Sequence, residues 1–389
     1  GVRLMAVLSA SRTSIGVGSS RSAASHFRHV DVSLVAAVVA IAAMGVLMVY
    51  SSTRARLEAD GSDPEYYLKR QAVFFVIGVF VMLAMTLKDY RVFRDSAQII
   101  YAGTIGLLLL VLSPLGSYNK GQQASFEIGP FQLQPSEYAK VAIIIAVAAY
   151  ASTHRGELSL RALVNVLMLA GLPMALIYLQ PDLGTSLVFL AILLGMLMVA
   201  GAKGRHLLVL VAMGVVAMVA VIQLGVLKDY QRDRLGAFLD PSADTQRSAY
   251  NLNQSKVAIG SGGFTGKGLF QGTQTNLSYV PEQHTDFIFT ALGEQLGLVG
   301  SATVLALFGL VMWRIWRAAA LARDLSGTLI CVGVLAMLVF QVFENVGMTM
   351  GIMPITGIPL PFMSYGGSSM LATFAAIGLV LNVHMHRFS

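Results

Sequence analysis

Val32-Ser-Leu-Val-Ala-Ala-Val-Val-Ala-Ile-Ala-Ala-Met-Gly-Val-Leu-Met-Val-Tyr-Ser51 runs for twenty residues without a charged side chain. A helix rises about 1.5 Å per residue, so this length crosses the roughly 30 Å hydrocarbon core of a bilayer. Nine further apolar runs follow, at about 71–87, 96–113, 138–152, 161–179, 184–201, 206–227, 286–313, 326–350 and 369–385. The 138–152 run is the shortest. Composition agrees: the chain is 56% hydrophobic and 12% charged, with mean hydropathy +0.69. A soluble domain carries about 25% charged residues. The fold class expected is an all-α, polytopic membrane bundle of about ten helices.

The charges orient it. The net charge of +7 would suit a nucleic-acid partner if the basic residues clustered on one surface, but they follow a membrane pattern. With the N-terminus inside, 15 of the 27 Lys and Arg fall in the inner pieces. Six more lie in the long 228–285 stretch, which the positive-inside rule discounts because long loops cross regardless of charge. Both termini are therefore expected in the cytoplasm and the 228–285 loop outside, with no nucleic-acid role. Residues 1–30, rich in Ser, Arg, Ala and Gly, read as a disordered cytoplasmic tail rather than a cleaved signal peptide. Residues 31–389 then form one membrane domain. The single Cys331 excludes an internal disulfide and argues against a thiolate metal site. The absence of an evident internal repeat weakens an inverted-repeat transporter.

Four outward segments hold the unusual chemistry. In Gln132-Leu-Gln-Pro-Ser-Glu-Tyr-Ala-Lys140, Pro135 favours a helix start after it and Ser136 suits the cap. Glu137 and Lys140 share a helix face. They read either as an intrahelical ion pair or as an acid and a base lining an outward cavity. Gln180-Pro-Asp-Leu-Gly-Thr185 is a tight link in which Asp182 can cap the next helix. The long loop carries Arg234, Lys256 and Lys267, and the Gly-rich run Gly260-Ser-Gly-Gly-Phe-Thr-Gly-Lys-Gly268. Such backbone can offer N–H groups to a phosphate, although the run is neither a Walker A nor a Rossmann pattern. The fourth segment, from Gly351 to Ser369, contains three prolines and four glycines without a charge. Irregular backbone at this hydropathy must be buried in protein or line a cavity, so a re-entrant form is expected. Its Ser364, Tyr365 and Gly366 can bind a sugar or a diphosphate. In the ninth run Gln341, Glu344, Asn345 and Met348 share one helix face, and Glu344 needs a partner inside the bundle.

The most telling carboxylate is Asp286, in Pro281-Glu-Gln-His-Thr-Asp-Phe-Ile-Phe289. It is expected at the first turn of the eighth span, beside Glu282, His284 and Thr285. A helix cap is one reading; the general base of a membrane enzyme is the other.

Five motifs occur in order: Gln134-Pro-Ser-Glu137 with Lys140, Gln180-Pro-Asp-Leu-Gly184, Gln254-Ser-Lys256 with Ala258-Ile-Gly-Ser-Gly-Gly263, Pro281-Glu followed by His284-Thr-Asp-Phe-Ile-Phe289, and Pro359 with Ser364-Tyr-Gly-Gly367. From about residue 32 to 386 the chain resembles the shape, elongation, division and sporulation (SEDS) family of bacterial membrane proteins. Gln254-Ser-Lys256 and Gly272-Thr-Gln274 resemble its rod-shape branch more than its division branch. The resemblance implies a peptidoglycan glycosyltransferase that polymerises lipid II on the outer face of the cytoplasmic membrane, for elongation and rod shape. A class B penicillin-binding protein is the implied partner, and membrane lipid the surroundings. A lipid II flippase and a division-type polymerase are the alternatives. The family's essential aspartate falls on Asp286, and its glutamate and lysine on Glu137 and Lys140. Asp182, Arg234, Lys256, Glu282, His284, Thr285, Ser364, Tyr365 and Gly366 are the further substrate-binding candidates. Lys140, Lys256 and Arg234 are expected to steady the leaving diphosphate, with a divalent cation (Mg²⁺ or Mn²⁺) as an alternative source of charge and no organic cofactor. One departure stands out. Where many relatives carry Gly-Ala-x-x-Trp, this chain reads Gly121-Gln-Gln-Ala-Ser-Phe126, which weakens a substrate role for that loop.

Overall fold

The computed structural model describes residues 30–119, 122–129, 131–154, 156–223, 236, 238 and 247–388. The expected tail and Arg234 lie outside the described residues. In chain order the helices are α1 (Val32–Ala59), α2 (Tyr66–Ala84), α3 (Tyr90–Asp95), α4 (Ala97–Val111), α5 (Pro135–Ala151), α6 (Leu160–Leu179), α7 (Leu183–Val199), α8 (Gly204–Gln223), α9 (Arg247–Gly262), α10 (Thr273–Asn276), α11 (Ile288–Ala320), α12 (Leu325–Met350) and α13 (Gly367–Met385). Each of the ten apolar runs is a helix. Six of them, α1, α2, α6, α11, α12 and α13, are long and apolar enough to cross a membrane by length and composition.

Local chemistry sets the ends. Asp31, Ser159, Asp182 and Asp324 each accept a bond from a first-turn backbone N–H, satisfying donors that a helix leaves open. Gly351, at φ 76°, closes α12 in the left-handed region. At α5 the cap position is Gln134, with Pro135 inside the first turn. Ser136, expected as the cap, is instead a buried first-turn residue whose hydroxyl has no bonding partner.

α12 runs through the core, packed against α5, α7 and α11, while α13 packs on α2. Close approach needs small residues. A Cβ on Gly45 of α1 would lie 2.5 Å from the backbone of Met363, and one on Gly78 of α2 would lie 2.4 Å from the Phe374 ring. α8 touches the body mainly through α7 and leaves Leu208, Val215 and Val216 exposed, as suits a helix facing lipid.

The part of the long loop that is described is a folded bracket. α9 packs on α11 and α12, with the Ser255 hydroxyl 2.6 Å from that of Thr290 and donating to the Thr349 carbonyl at 2.8 Å. α11 breaks at Gly297 (φ 62°, ψ −158°). The Gly-rich run docks on the break: Lys267 and Gly268 donate backbone N–H groups to the Glu294 and Gln295 carbonyls, and Leu298 and Val299 donate to Gly263 and Phe264. Those glycine-run amides are committed to protein, which overturns the phosphate-cradle reading. The glycines are there for contact, since a Cβ on Gly262 or Gly266 would sit 2.1 Å from an α11 carbonyl oxygen. Buried Glu294 completes the joint. It accepts from the Gln274 and Thr275 amides, the Thr275 hydroxyl and the Lys267 ammonium at 2.7–3.0 Å.

Between α4 and α5 stands a three-stranded antiparallel sheet, β1 (Ser117–Asn119), β2 (Gln122–Ile128) and β3 (Phe131–Leu133), in the order β1-β2-β3.

Candidate active site

One end of the bundle gathers the starts of the even-numbered spans. A cavity of about 390 Å³ is lined there by the first turns of α2, the residues leading into α5 and α11, and the start of α13. The N-terminus of α7 lies beside it, for Gly184 packs against Thr356 and Ile358 next to cavity residues Gly357 and Pro359. At the opposite end Arg314, late in α11, pairs with Asp31 at the start of α1.

Asp286 lies on the cavity wall with Glu282, His284 and Thr285. It is not in a helix. α11 starts at Ile288 with Phe287 at the cap position, so Asp286 belongs to the turn before it. The turn is built on Glu282, whose φ of 54° is unusual for a side-chain-bearing residue and whose carbonyl accepts from the Thr285, Asp286 and Phe287 amides. The uncharged 351–366 segment holds the other side. The Tyr365 amide donates to the His284 carbonyl at 2.8 Å, and the Ser364 hydroxyl donates to the Thr285 carbonyl at 2.6 Å. Asn345, buried in α12, donates to the carbonyls of both Asp286 and Ile358 at 2.8 Å. Three successive carbonyls, 284 to 286, are therefore clamped, and irregular backbone finds its partners inside the protein, as expected of a re-entrant segment. Gly366 lines the same cavity.

Other candidates sit elsewhere. Lys140 donates to both Glu137 oxygens at 2.8 Å, and the pair is almost wholly buried inside the bundle, away from the cavity lining. Asp182 caps α7 through the Thr185 amide and hydroxyl. Lys256 lies along the end of α12, where a Cβ on Gly351 would come within 2.6 Å of its Nζ. Glu344 finds its partner in the Thr356 hydroxyl, at 2.8 Å.

The sequence reading passed over several cavity residues. Tyr67, Arg70 and Phe74 project from one face of α2, Gln132 comes from β3 and Gln134 from the cap position of α5. Ser368 pins that strand, donating to the Gln132 carbonyl and accepting from the Gln134 amide. Spacing of 67, 70 and 74 at helical intervals was the available signal. The apolar run begins at residue 71, so Arg70 reads in the sequence as a flanking charge.

The residues present set limits on a cation. Among the described residues no three His, Cys, Asp or Glu side chains cluster closely enough to hold a metal ion. Two carboxylates, Glu282 and Asp286, do line one cavity. That suits Mg²⁺, which takes one or two protein carboxylates and fills its shell from phosphates and water.

Comparison with known proteins follows the same outline. Residues 32–389 match the family model for FtsW, RodA and SpoVE, described as a cell cycle protein. The chain belongs to this family. Among FtsW/RodA/SpoVE relatives, the peptidoglycan glycosyltransferase MrdB of Escherichia coli (strain K12) is 36% identical, over 92% of this chain and 94% of that one. A probable peptidoglycan glycosyltransferase FtsW of Thioalkalivibrio sulfidiphilus is 40% identical, over 92% and 90%. A solved chain from work on structural coordination of polymerization and crosslinking by a peptidoglycan synthase complex superposes with TM-score 0.78 at 34% identity, over 92% of this chain and 99% of that one. As in that family, this chain is a multi-pass membrane protein.

Proposed function

We propose that this chain is a peptidoglycan glycosyltransferase that polymerises lipid II, the undecaprenyl-diphosphate-linked disaccharide-pentapeptide, with Asp286 as general base. One observation carries the reading: a carboxylate on a polar cavity at the end of a membrane bundle, its backbone clamped by Asn345, Ser364 and Tyr365. A base must be held still to work, because effective positioning supplies much of an enzyme's rate. The acceptor sugar's 4-hydroxyl attacks the anomeric carbon of the donor sugar, and its proton passes to the Asp286 carboxylate. The bond from that carbon to the diphosphate oxygen breaks, and the polyprenyl diphosphate leaves. Glu282 and Asp286 are the residues that would hold a divalent cation; when bound, it neutralises charge on the departing diphosphate.

In this proposal the protein lies in the bacterial cytoplasmic membrane with both termini in the cytoplasm and the cavity on the outer face. It works beside a class B penicillin-binding protein that cross-links the product. Elongation is the cellular role assigned, on Gln254-Ser-Lys256 and Gly272-Thr-Gln274; the 40% identity to a protein named FtsW makes division the second reading.

The test is polymerisation of detergent-solubilised lipid II by the purified chain with its transpeptidase, where no membrane is crossed. Glycan should form, and Asp286→Ala should lower the rate by roughly 10²–10⁴. Chelation with EDTA should stop the reaction, and Mg²⁺ or Mn²⁺ restore it. Near-normal glycan from Asp286→Ala would remove the base assignment. No glycan from the wild type, with lipid II crossing vesicles instead, would make it a flippase.

A further inference from the structure

Among the described residues, the expected diphosphate-binding lysines do not line the cavity. Lys140 is spent on Glu137 inside the bundle, and Lys256 lies at the end of α12. Arg70 is the one Lys or Arg among the described residues lining the cavity. It stands on α2 and lines the same cavity as Glu282 and Asp286.

Three features equip it. First, its guanidinium stacks over the Tyr66 ring, 4.3 Å from the centroid, on the preceding turn of the same helix. Such stacking fixes the plane of the guanidinium and leaves its N–H edge to donate, with the Tyr365 hydroxyl as one neighbour. Second, Arg70 forms no ion pair with a carboxylate among the described residues. Third, its neighbours are rigid. Tyr67 makes edge contact with Tyr365 at 4.9 Å and lies 4.9 Å from the His284 ring. Phe74 packs on Phe131, and Gln71 donates to the Ser364 carbonyl at 3.1 Å. Burial raises the pKa of the Tyr365 hydroxyl while Arg70 beside it pulls the other way, so the hydroxyl stays neutral. The result is a planar cation, held against an aromatic wall, on the same cavity as two carboxylates.

We infer that Arg70 is the diphosphate-binding residue of this site, gripping the lipid-linked leaving group in a two-pronged contact while the Tyr67–Tyr365–His284 wall carries the adjoining sugar. A dianionic group is drawn to the guanidinium on this wall. The reacting anomeric carbon then falls between the cation that receives the leaving group and the base that receives the proton. Arginine suits the task because its fork matches two phosphate oxygens at once, which a lysine ammonium cannot do.

The inference rests on the polymerase reading only for the kind of ligand, and its test needs no turnover. Full-length protein in detergent with EDTA is titrated with geranylgeranyl diphosphate and, separately, geranylgeranyl monophosphate. The wild type should prefer the diphosphate. Arg70→Gln should weaken diphosphate binding about 10- to 100-fold while leaving monophosphate binding nearly unchanged. Arg70→Lys should fall between, and Asp286→Asn should bind the diphosphate as well as or better than the wild type. Misfolding would weaken both ligands together, so the ratio isolates the contact. A wild type without preference, or an Arg70→Gln protein with the wild-type ratio, overturns the inference. A polymerase reading that fails shows up separately, as absence of glycan from a wild type that still discriminates the two lipids.

Discussion

Asn345 illustrates how one side chain can govern a reaction it does not touch. It lies in the core of α12, fully buried, and its amide holds the carbonyls of Asp286 and Ile358 together. Removing it leaves two buried carbonyls without that donor, at about 1–3 kcal/mol each. It also frees the turn that carries Asp286, the proposed base. Asn345→Ala is expected to lower the polymerisation rate at saturating lipid II by about 10²-fold, the scale of a 1 Å misplacement, with a much smaller change in KM. A variant with wild-type kcat would show that the remaining clamps at Thr285 and His284 suffice. Asn345 was legible as part of a polar helix face, but not its target, because the 351–366 segment reads only as irregular. The opposite holds for Glu137 and Lys140. Their spacing announced an ion pair, yet nothing in the spacing says that the pair faces the bundle interior rather than the cavity.

Among the elements, α11 is the one in which regular structure gives way to a purpose. Gly297 adopts a conformation that is essentially closed to other residues, and a Cβ there would meet the Gly266 amide nitrogen at 2.3 Å. Gly297→Ala should therefore destabilise the protein by roughly 1–3 kcal/mol from backbone strain alone. Thermal unfolding of the purified protein should show a lowered Tm. Gly260→Ala, on a surface of α9 with open space around it, should leave the midpoint nearly unchanged. Equal midpoints for all three proteins would mean the bracket is not anchored there. The ten apolar runs located the membrane helices because hydrophobic length is a strong signal, but α1 and α11 continue past their runs, to Ala59 and Ala320, where charged residues enter the helix. α9 and the small sheet escaped for opposite reasons. α9 is too polar to register as an apolar run and owes its helix to packing on α11 and α12. The strands, two of them three residues long, are too short for alternation to show.

At the scale of the whole molecule, direction of travel is what assembles the site. Helices that enter the bilayer from one side bring their first turns to the same end, so α2, α5, α11 and α13 meet at the cavity although they are remote in sequence. The positive-inside count assigns that end to the outside. Leu115, 68% exposed, follows α4 on the cavity side, and Leu321, 46% exposed, follows α11 on the other. With Cys331 buried and silent, Leu115→Cys should react with a membrane-impermeant maleimide on intact cells, and Leu321→Cys only after lysis. The reverse pattern would invert the topology and place the cavity in the cytoplasm.

The clamp on Asp286 also has a consequence for biogenesis. Asp286 enters the membrane with the eighth span, but Asn345 arrives with the ninth, and Ser364, Tyr365 and the floor from Gly366 to Ser369 come only with the tenth. A growing chain carries the proposed base for some eighty residues of synthesis before the clamp is complete. The catalyst is thus inert until translation is nearly complete, and a ribosome that stops short leaves a protein that is threaded through the bilayer but has no centre to switch on.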